Sequence, residues 1–360
     1  MLPETGDLAK SPRRKNQAIT IETVARAAGV SAMTVSNVLN NSKPVREATR
    51  EAVMQAVRAL NYTPNLAAKA LAGADTTRIG LLLSRDDFSF ISSVLGGAVE
   101  ATSALGAQLM TRRLGRQLHE DVLAAVLDVV SAGANALVLP GLYAGILQDE
   151  LCSGLVNVPV VAASPGDELD GVWSIRIDDE IAAHDMAASL IALGHRRIGF
   201  LRAEHRHLVH KTRFAGYARA LQEAGLTLDP SLVVTSALSF DAGIKAADAF
   251  LDRPDRPTAI FASNDDTASA IVAMAHKRGL RVPEDLSVAG FDDSALALRM
   301  WPRLSSVRQP VTEIARKATE LAINLARLSG DLPAHRTDII DHTIVMREST
   351  APPAEGPVCT

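Results

Sequence analysis

The 360 residues are 47% hydrophobic and 22% charged and include two cysteines, a profile that excludes a disordered, collagenous or disulfide-stapled chain. The net charge of −4 conceals an asymmetry: residues 1–73 carry ten Lys and Arg against five Asp and Glu, and the remainder carries 27 against 36. A small basic head on an acidic body points to a polyanion that touches the head alone, or to nothing more than a basic tail. No apolar stretch follows the N-terminal basic residues, and no run of about 18 apolar residues occurs, so a cytoplasmic protein without a membrane span is expected.

Residues 1–18, with Lys10, Arg13, Arg14 and Lys15, read as a disordered basic arm. Helical spacing then begins, and 19–64 is expected to form a small all-α head. Ile21, Val24, Ala25 and Ala28 mark a first helix that Gly29 stops. Ser31 is placed to cap a second helix with Val35, Val38 and Leu39 buried, and a third runs from Glu47 to Leu60. The tight turn at Gly29 and the small alanines around it suit a helix-turn-helix. In that geometry Ala32, Met33, Ser36 and Asn37 face outward from the second helix toward the major groove. The hydroxyls of Thr20, Ser31, Thr34 and Ser36, together with Arg50, suit phosphate contacts.

From Arg78 the pattern becomes short apolar runs separated by helix-length segments. Strands are expected at Ile79–Leu83, Ala136–Leu139, Val158–Ala162, Arg197–Leu201, Ala259–Ala262 and Ser287–Ala289, with a final pair inside Ile339–Met346. Helices such as Ile181–Leu193, Phe214–Ala224 and Thr267–Arg278 lie between them. Such alternation argues parallel sheets covered on both faces, and the length suits two of them. The expected core is 74–349, made of two α/β subdomains, followed by a flexible tail over 350–360.

The run from Thr23 to Ser31 followed by Thr34-Val35-Ser36 resembles the head of the lactose-repressor family. Leu39-Asn40-Asn41, Thr49-Arg50 and Leu60-Asn61-Tyr62-Thr63-Pro64-Asn65 resemble it as well, and the similarity continues to about Ser349. The resemblance implies a sequence-specific repressor that binds two-fold symmetric double-stranded DNA as a homodimer. It also implies a core of two doubly wound parallel-sheet subdomains of the periplasmic sugar-binding type, with a small sugar-like effector between them. Base reading would fall to Ala32, Met33 and Asn37, with Asn40 and Tyr62 in the matching motifs. Asn37 stands where the family commonly has arginine, and asparagine suits the adenine N6/N7 edge. Residues 65–73 resemble the family's hinge helix, with Asn65 at its start, Ala68 where two hinges meet and Leu71 as the minor-groove wedge; an amphipathic linker is the plainer reading.

In the core the resemblance assigns effector contacts to Arg213, Asn264 and Asp292. Ser84, Phe88, Phe90 and Ser164 are further candidates. Phe240 stands near an aromatic position that Leu238 occupies here. The loop from Arg202 to Arg213 is rich in Arg, Lys and His, which would suit an anionic effector or a merely solvated surface. His205, His207 and His210 lack the Cys or acidic partners of a metal site, so no metal is expected. The sequence shows no G-x-S-x-G, G-x-G-x-x-G, Walker or H-E-x-x-H pattern, so neither catalysis nor a cofactor is expected. A purine-type corepressor, or a sugar-binding protein that does not touch DNA, are the alternative readings.

Overall fold

The computed structural model describes residues 20–40, 44–60, 62, 76–84, 88–114, 118–204 and 207–354. The chain divides into two compact units, Met1–Asp75 and Thr76–Thr360. The basic arm, the hinge segment 65–73 with Asn65, Ala68 and Leu71, and residues 355–360 lie outside the described residues.

Among the described residues the first unit holds three helices, α1 (Ile21–Ala28), α2 (Ala32–Asn40) and α3 (Glu47–Ala59). Gly29 ends α1 in the left-handed region at φ 68°, where a side chain would be strained, and its N–H closes onto the carbonyls of Ala25 and Arg26. Val24, Ala25, Val35, Val38, Val53 and Ala56 form the core between the helices, and Tyr62 packs at its margin.

The second unit contains two six-stranded sheets built to one plan. The N-terminal lobe has β1 (Arg78–Leu83), α4 (Phe88–Leu105), β2 (Gln108–Arg113), α5 (His119–Ser131), β3 (Ala136–Pro140), α6 (Gly141–Ile146), α7 (Gln148–Cys152), β4 (Val160–Ala163) and β5 (Trp173–Arg176). The C-terminal lobe follows with α8 (Asp179–Ala192), β6 (Ile198–Ala203), α9 (Val209–Glu223), β7 (Val233–Ser236), α10 (Phe240–Leu251), β8 (Ala259–Ala262), α11 (Asp265–Lys277), β9 (Ser287–Asp292), α12 (Ala295–Arg299) and β10 (Ser305–Arg308). The chain then returns to the first lobe with α13 (Val311–Arg327) and β11 (Thr337–Ile339), and ends in the second with β12 (Thr343–Val345). The strand orders are β2-β1-β3-β4-β5-β11 and β7-β6-β8-β9-β10-β12. Three short connections, at residues 177–178, 309–310 and 340–342, therefore join the lobes.

The first sheet is parallel throughout, whereas β12 runs antiparallel to β10 at the edge of the second. The expected final pair of strands is thus split between the two sheets, because residues 340–342 cross between lobes. Strands β2, β5, β7 and β10 went unrecognised in the sequence. Strand β10 explains why: Ser305 and Ser306 are fully buried, their hydroxyls bonding Thr350 and Asp265, so no apolar run marks it. The C-terminal tail is also pinned further than expected. Ala351 accepts from His195 Nε2 at 2.9 Å and its N–H donates to Ser287 Oγ at 3.1 Å, which ties residues just past 349 to the sheet.

Parallel strands gather their carboxyl ends on one side, and in each sheet the order reverses between the first and third strands. Ligands bind such sheets at that crevice. The lobes bring their two crevices together into one cleft.

Candidate functional site

In the head, Ser31 Oγ accepts the N–H of Thr34 at 3.1 Å and lies 2.9 Å from its hydroxyl, so both side chains cap α2 from within the protein. Thr20 precedes α1, and its N–H donates to Thr23 Oγ1 at 3.5 Å. On α2, Val35 and Val38 are buried while Met33 is 70% exposed. Ala32, Ser36 and Asn37 are half-buried, as is Arg50 on α3. This leaves Met33 as the most prominent side chain on the early turns of the second helix. Asn40 ends α2, and its side chain lies outside the described residues.

The core cleft has a volume of about 180 Å³ and is lined from both lobes. The N-terminal lobe supplies Ser84 after β1, Phe90 on α4, the α6 segment around Tyr143, and Ser164 after β4. The C-terminal lobe supplies Leu208, Arg213 on α9, Leu238 after β7, Asn264 after β8, Asp292 at the end of β9 and Gln309 after β10. Most of these sit at strand carboxyl ends.

Arg213 is buried and held on every side. Its Nε donates to Asp179 Oδ1 at 2.7 Å, its Nη1 donates to the Ser263 carbonyl, and its Cζ lies 3.5 Å from the centre of the Phe291 ring. Asp179, at the start of α8, is itself buried; burial raises its carboxyl above the usual range and Arg213 opposes that. Asn264 caps α11: Oδ1 accepts from the Thr267 N–H at 3.0 Å and its hydroxyl at 2.6 Å, while Nδ2 donates to the Leu238 carbonyl at 3.2 Å. Asn264 therefore lines the cleft as a group already fixed in place.

Asp292 accepts from Gln309 Nε2 at 2.5 Å. Burial pushes its carboxyl upward, against the pull of Arg213. Beneath it, Asp265 receives Ser306 Oγ at 2.6 Å and the Ser294 N–H at 2.7 Å, and it too is raised, by burial first and by the charge of Asp292 second. Gly290 makes room for Asp265, since a Cβ there would come within 2.4 Å of Oδ1. Among the described residues the only non-glycine positions with positive φ are Ser164, Asp292 and Asp293, all at or just after strand ends, and the first two line this cleft. Such backbone strain gathers where a fold holds functional groups in place.

Comparison with known proteins agrees with both halves. Residues 20–65 match the bacterial regulatory proteins of the lacI family, and residues 187–350 match a periplasmic binding protein-like domain. The chain is 32% identical over 306 residues to catabolite control protein A of Priestia megaterium, covering 84% of this chain and 91% of that one. It is 35% identical to the HTH-type transcriptional regulator GalS of Salmonella typhimurium, covering 92% and 97%. The chain belongs to the lacI family.

It is accordingly a DNA-binding transcriptional regulator. Its fold superposes on the transcriptional regulator CelR–cellobiose complex with a TM-score of 0.66 at 27% identity, over 92% of this chain and 99% of that one. Within this lacI-family core, Ser84, Phe90, Ser164, Arg213, Asn264 and Asp292 all line the cleft. Phe240 does not: as the first residue of α10 it is 43% exposed, and Leu238 lines the cleft instead. The side chain of Phe88, at the start of α4, lies outside the described residues. Sequence reasoning missed Gln309 and Leu208. The rule that strand ends meet ligands would have reached Gln309 had β10 been recognised.

Proposed function

We propose that the chain is a homodimeric, non-enzymatic cytoplasmic repressor, released from a two-fold symmetric operator when a small neutral, hydroxylated effector enters the cleft. The observation that carries this reading is one chain joining a helix-turn-helix head to a cleft walled by polar groups from two lobes. Both walls move with the three connections at 177–178, 309–310 and 340–342, so a ligand touching both favours one lobe arrangement over another. Arg213, Asn264 and Asp292 would hold the effector from the C-terminal lobe, and Ser84, Phe90 and Ser164 from the other. In the head, Ala32, Met33 and Asn37 would meet base edges and Thr20, Ser36 and Arg50 the backbone, with Leu71 wedging the minor groove.

The charges argue for a neutral effector. Arg213 is already neutralised by Asp179, while the Asp292 carboxyl faces the cleft. Of the basic loop, Arg202 lies over the Phe214 ring at 4.3 Å and bonds the His210 carbonyl, and among its described residues before Arg213 only His207 contributes a basic group to the lining. A sugar acid or phosphate would therefore meet a carboxyl with no uncommitted arginine beside it. No helix among the described residues is long and apolar enough to cross a membrane.

Selection of bound sites from a random duplex library, at stated salt, tests the DNA-binding half. Enrichment of a two-fold symmetric sequence, abolished by Val35→Asp in the head's core, is the expected outcome. Enrichment that survives that substitution, or none at all, would count against it.

A further inference from the structure

A hydrogen-bonded bridge crosses the cleft. Ser164 Oγ donates to Gln309 Oε1 at 3.4 Å, and Gln309 Nε2 donates to Asp292 Oδ1 at 2.5 Å. Ser164 follows β4 of the N-terminal lobe and Asp292 ends β9 of the other, so the Gln309 amide spans both walls. It is only 5% exposed, and it sits on the 309–310 connection beside Pro310. These two bonds set the amide with its nitrogen toward Asp292 and its oxygen toward Ser164.

The Ser164 anchor is tightly held. Ser164 holds φ 52°, and its carbonyl oxygen lies so near Gly141 that a Cβ there would come within 2.2 Å. Its N–H donates to the Ile175 carbonyl at 2.9 Å. Apolar contacts reinforce the bridge at the mouth of the cleft. Leu208 of the C-terminal lobe packs against the N-terminal lobe's cluster of Leu139, Tyr143 and Leu147. Val209 abuts Gly166, where a Cβ would fall 2.3 Å from its Cγ1.

We propose that Gln309 is a built-in stand-in for the effector: it latches the cleft closed in the free protein, and an effector enters by taking over its hydrogen bonds to Ser164 and Asp292. The proposal rests on the effector reading of the cleft. A buried amide that loses both partners is costly, so a ligand succeeds only by satisfying Ser164 and Asp292 better than Gln309 does. That demand selects chemistry. A ligand that takes over both bonds as they stand brings a donor toward Asp292 and an acceptor toward Ser164, which one or two hydroxyl groups supply. Gln309 thereby sets both specificity and the resting position of the lobes.

Gln309→Leu keeps the bulk and removes both hydrogen bonds. Hydrogen exchange on the full-length free protein should then show the 164–166 and 207–209 segments exchanging about 10-fold faster than in the parent, because the open arrangement is more populated. Ser164→Ala, which cuts the bridge from the other wall, should speed the same segments by a smaller factor. Calorimetric titration with cellobiose, galactose, ribose and a free purine base forms the second arm. Any of these bound by the parent should bind Gln309→Leu about 3- to 10-fold tighter, since it no longer competes with the latch. Unchanged exchange in both variants overturns the latch whatever the ligands do. Faster exchange with weaker ligand binding overturns the stand-in and makes Gln309 an ordinary ligand contact. Faster exchange with no ligand bound by either protein supports the latch and counts against the effector reading alone.

Discussion

Arg213→Ala should destabilise the core by about 3–5 kcal/mol and abolish effector binding. The reason lies in Asp179. Its carboxylate and the guanidinium are 2% and 6% exposed as a pair, 2.7 Å apart, so removal of the cation leaves a buried anion with its principal partner gone. Burial already raises the folded carboxyl of Asp179 above its unfolded value of about 3.9. Loss of Arg213 raises it further, and a raised carboxyl favours folding only while protonated. The deficit of the variant is therefore largest at neutral and alkaline pH and shrinks as the pH falls through the raised folded value. Denaturant titrations at several pH values read this directly. Arg213→Met combined with Asp179→Leu removes both charges and should recover most of the lost stability while still failing to bind effector. A double variant as unstable as Arg213→Ala would show that the Phe291 and Ser263 contacts dominate instead.

Asn37→Arg should change which operator the protein prefers. The asparagine amide matches the N6 and N7 edge of adenine, and an arginine fork matches the O6 and N7 edge of guanine; each pairing is worth about 1–3 kcal/mol of discrimination. At the base pair read by this residue, preference should move from A·T to G·C by about 10- to 100-fold, and the salt dependence should steepen by the one added charge. Site selection with both proteins side by side measures it. An unchanged preference at every position would remove Asn37 from base reading.

The head was the more legible half of the sequence. Periodicity placed all three helices, and Gly29 and Ser31 gave the turn and the cap, because these effects act within a few residues. In the core the apolar central strands could be read, for the same reason. What could not be read was long-range. Strand β10 is buried through serine hydroxyls bonded to partners as far off as Asp265 and Thr350, and without that strand Gln309 had no place in the cleft. Phe240 failed for a local reason: it opens α10 one residue after the Ser239 cap, and its ring is left outside the cleft while Leu238 faces in. Asn264 was placed in the cleft from the sequence, yet its role as the cap of α11 emerged only with the hydrogen bonds to Thr267.

The measurement that bears most directly on the central claim is the affinity of the full-length protein for its selected operator, at fixed salt, across a titration with a ligand shown to bind the core. The account predicts that operator affinity falls as the cleft fills, by about 5- to 150-fold for a coupling of ordinary size. It also predicts the reciprocal loss of ligand affinity on operator DNA. A ligand that fills the cleft and leaves operator affinity unchanged, or raises it, would contradict the account.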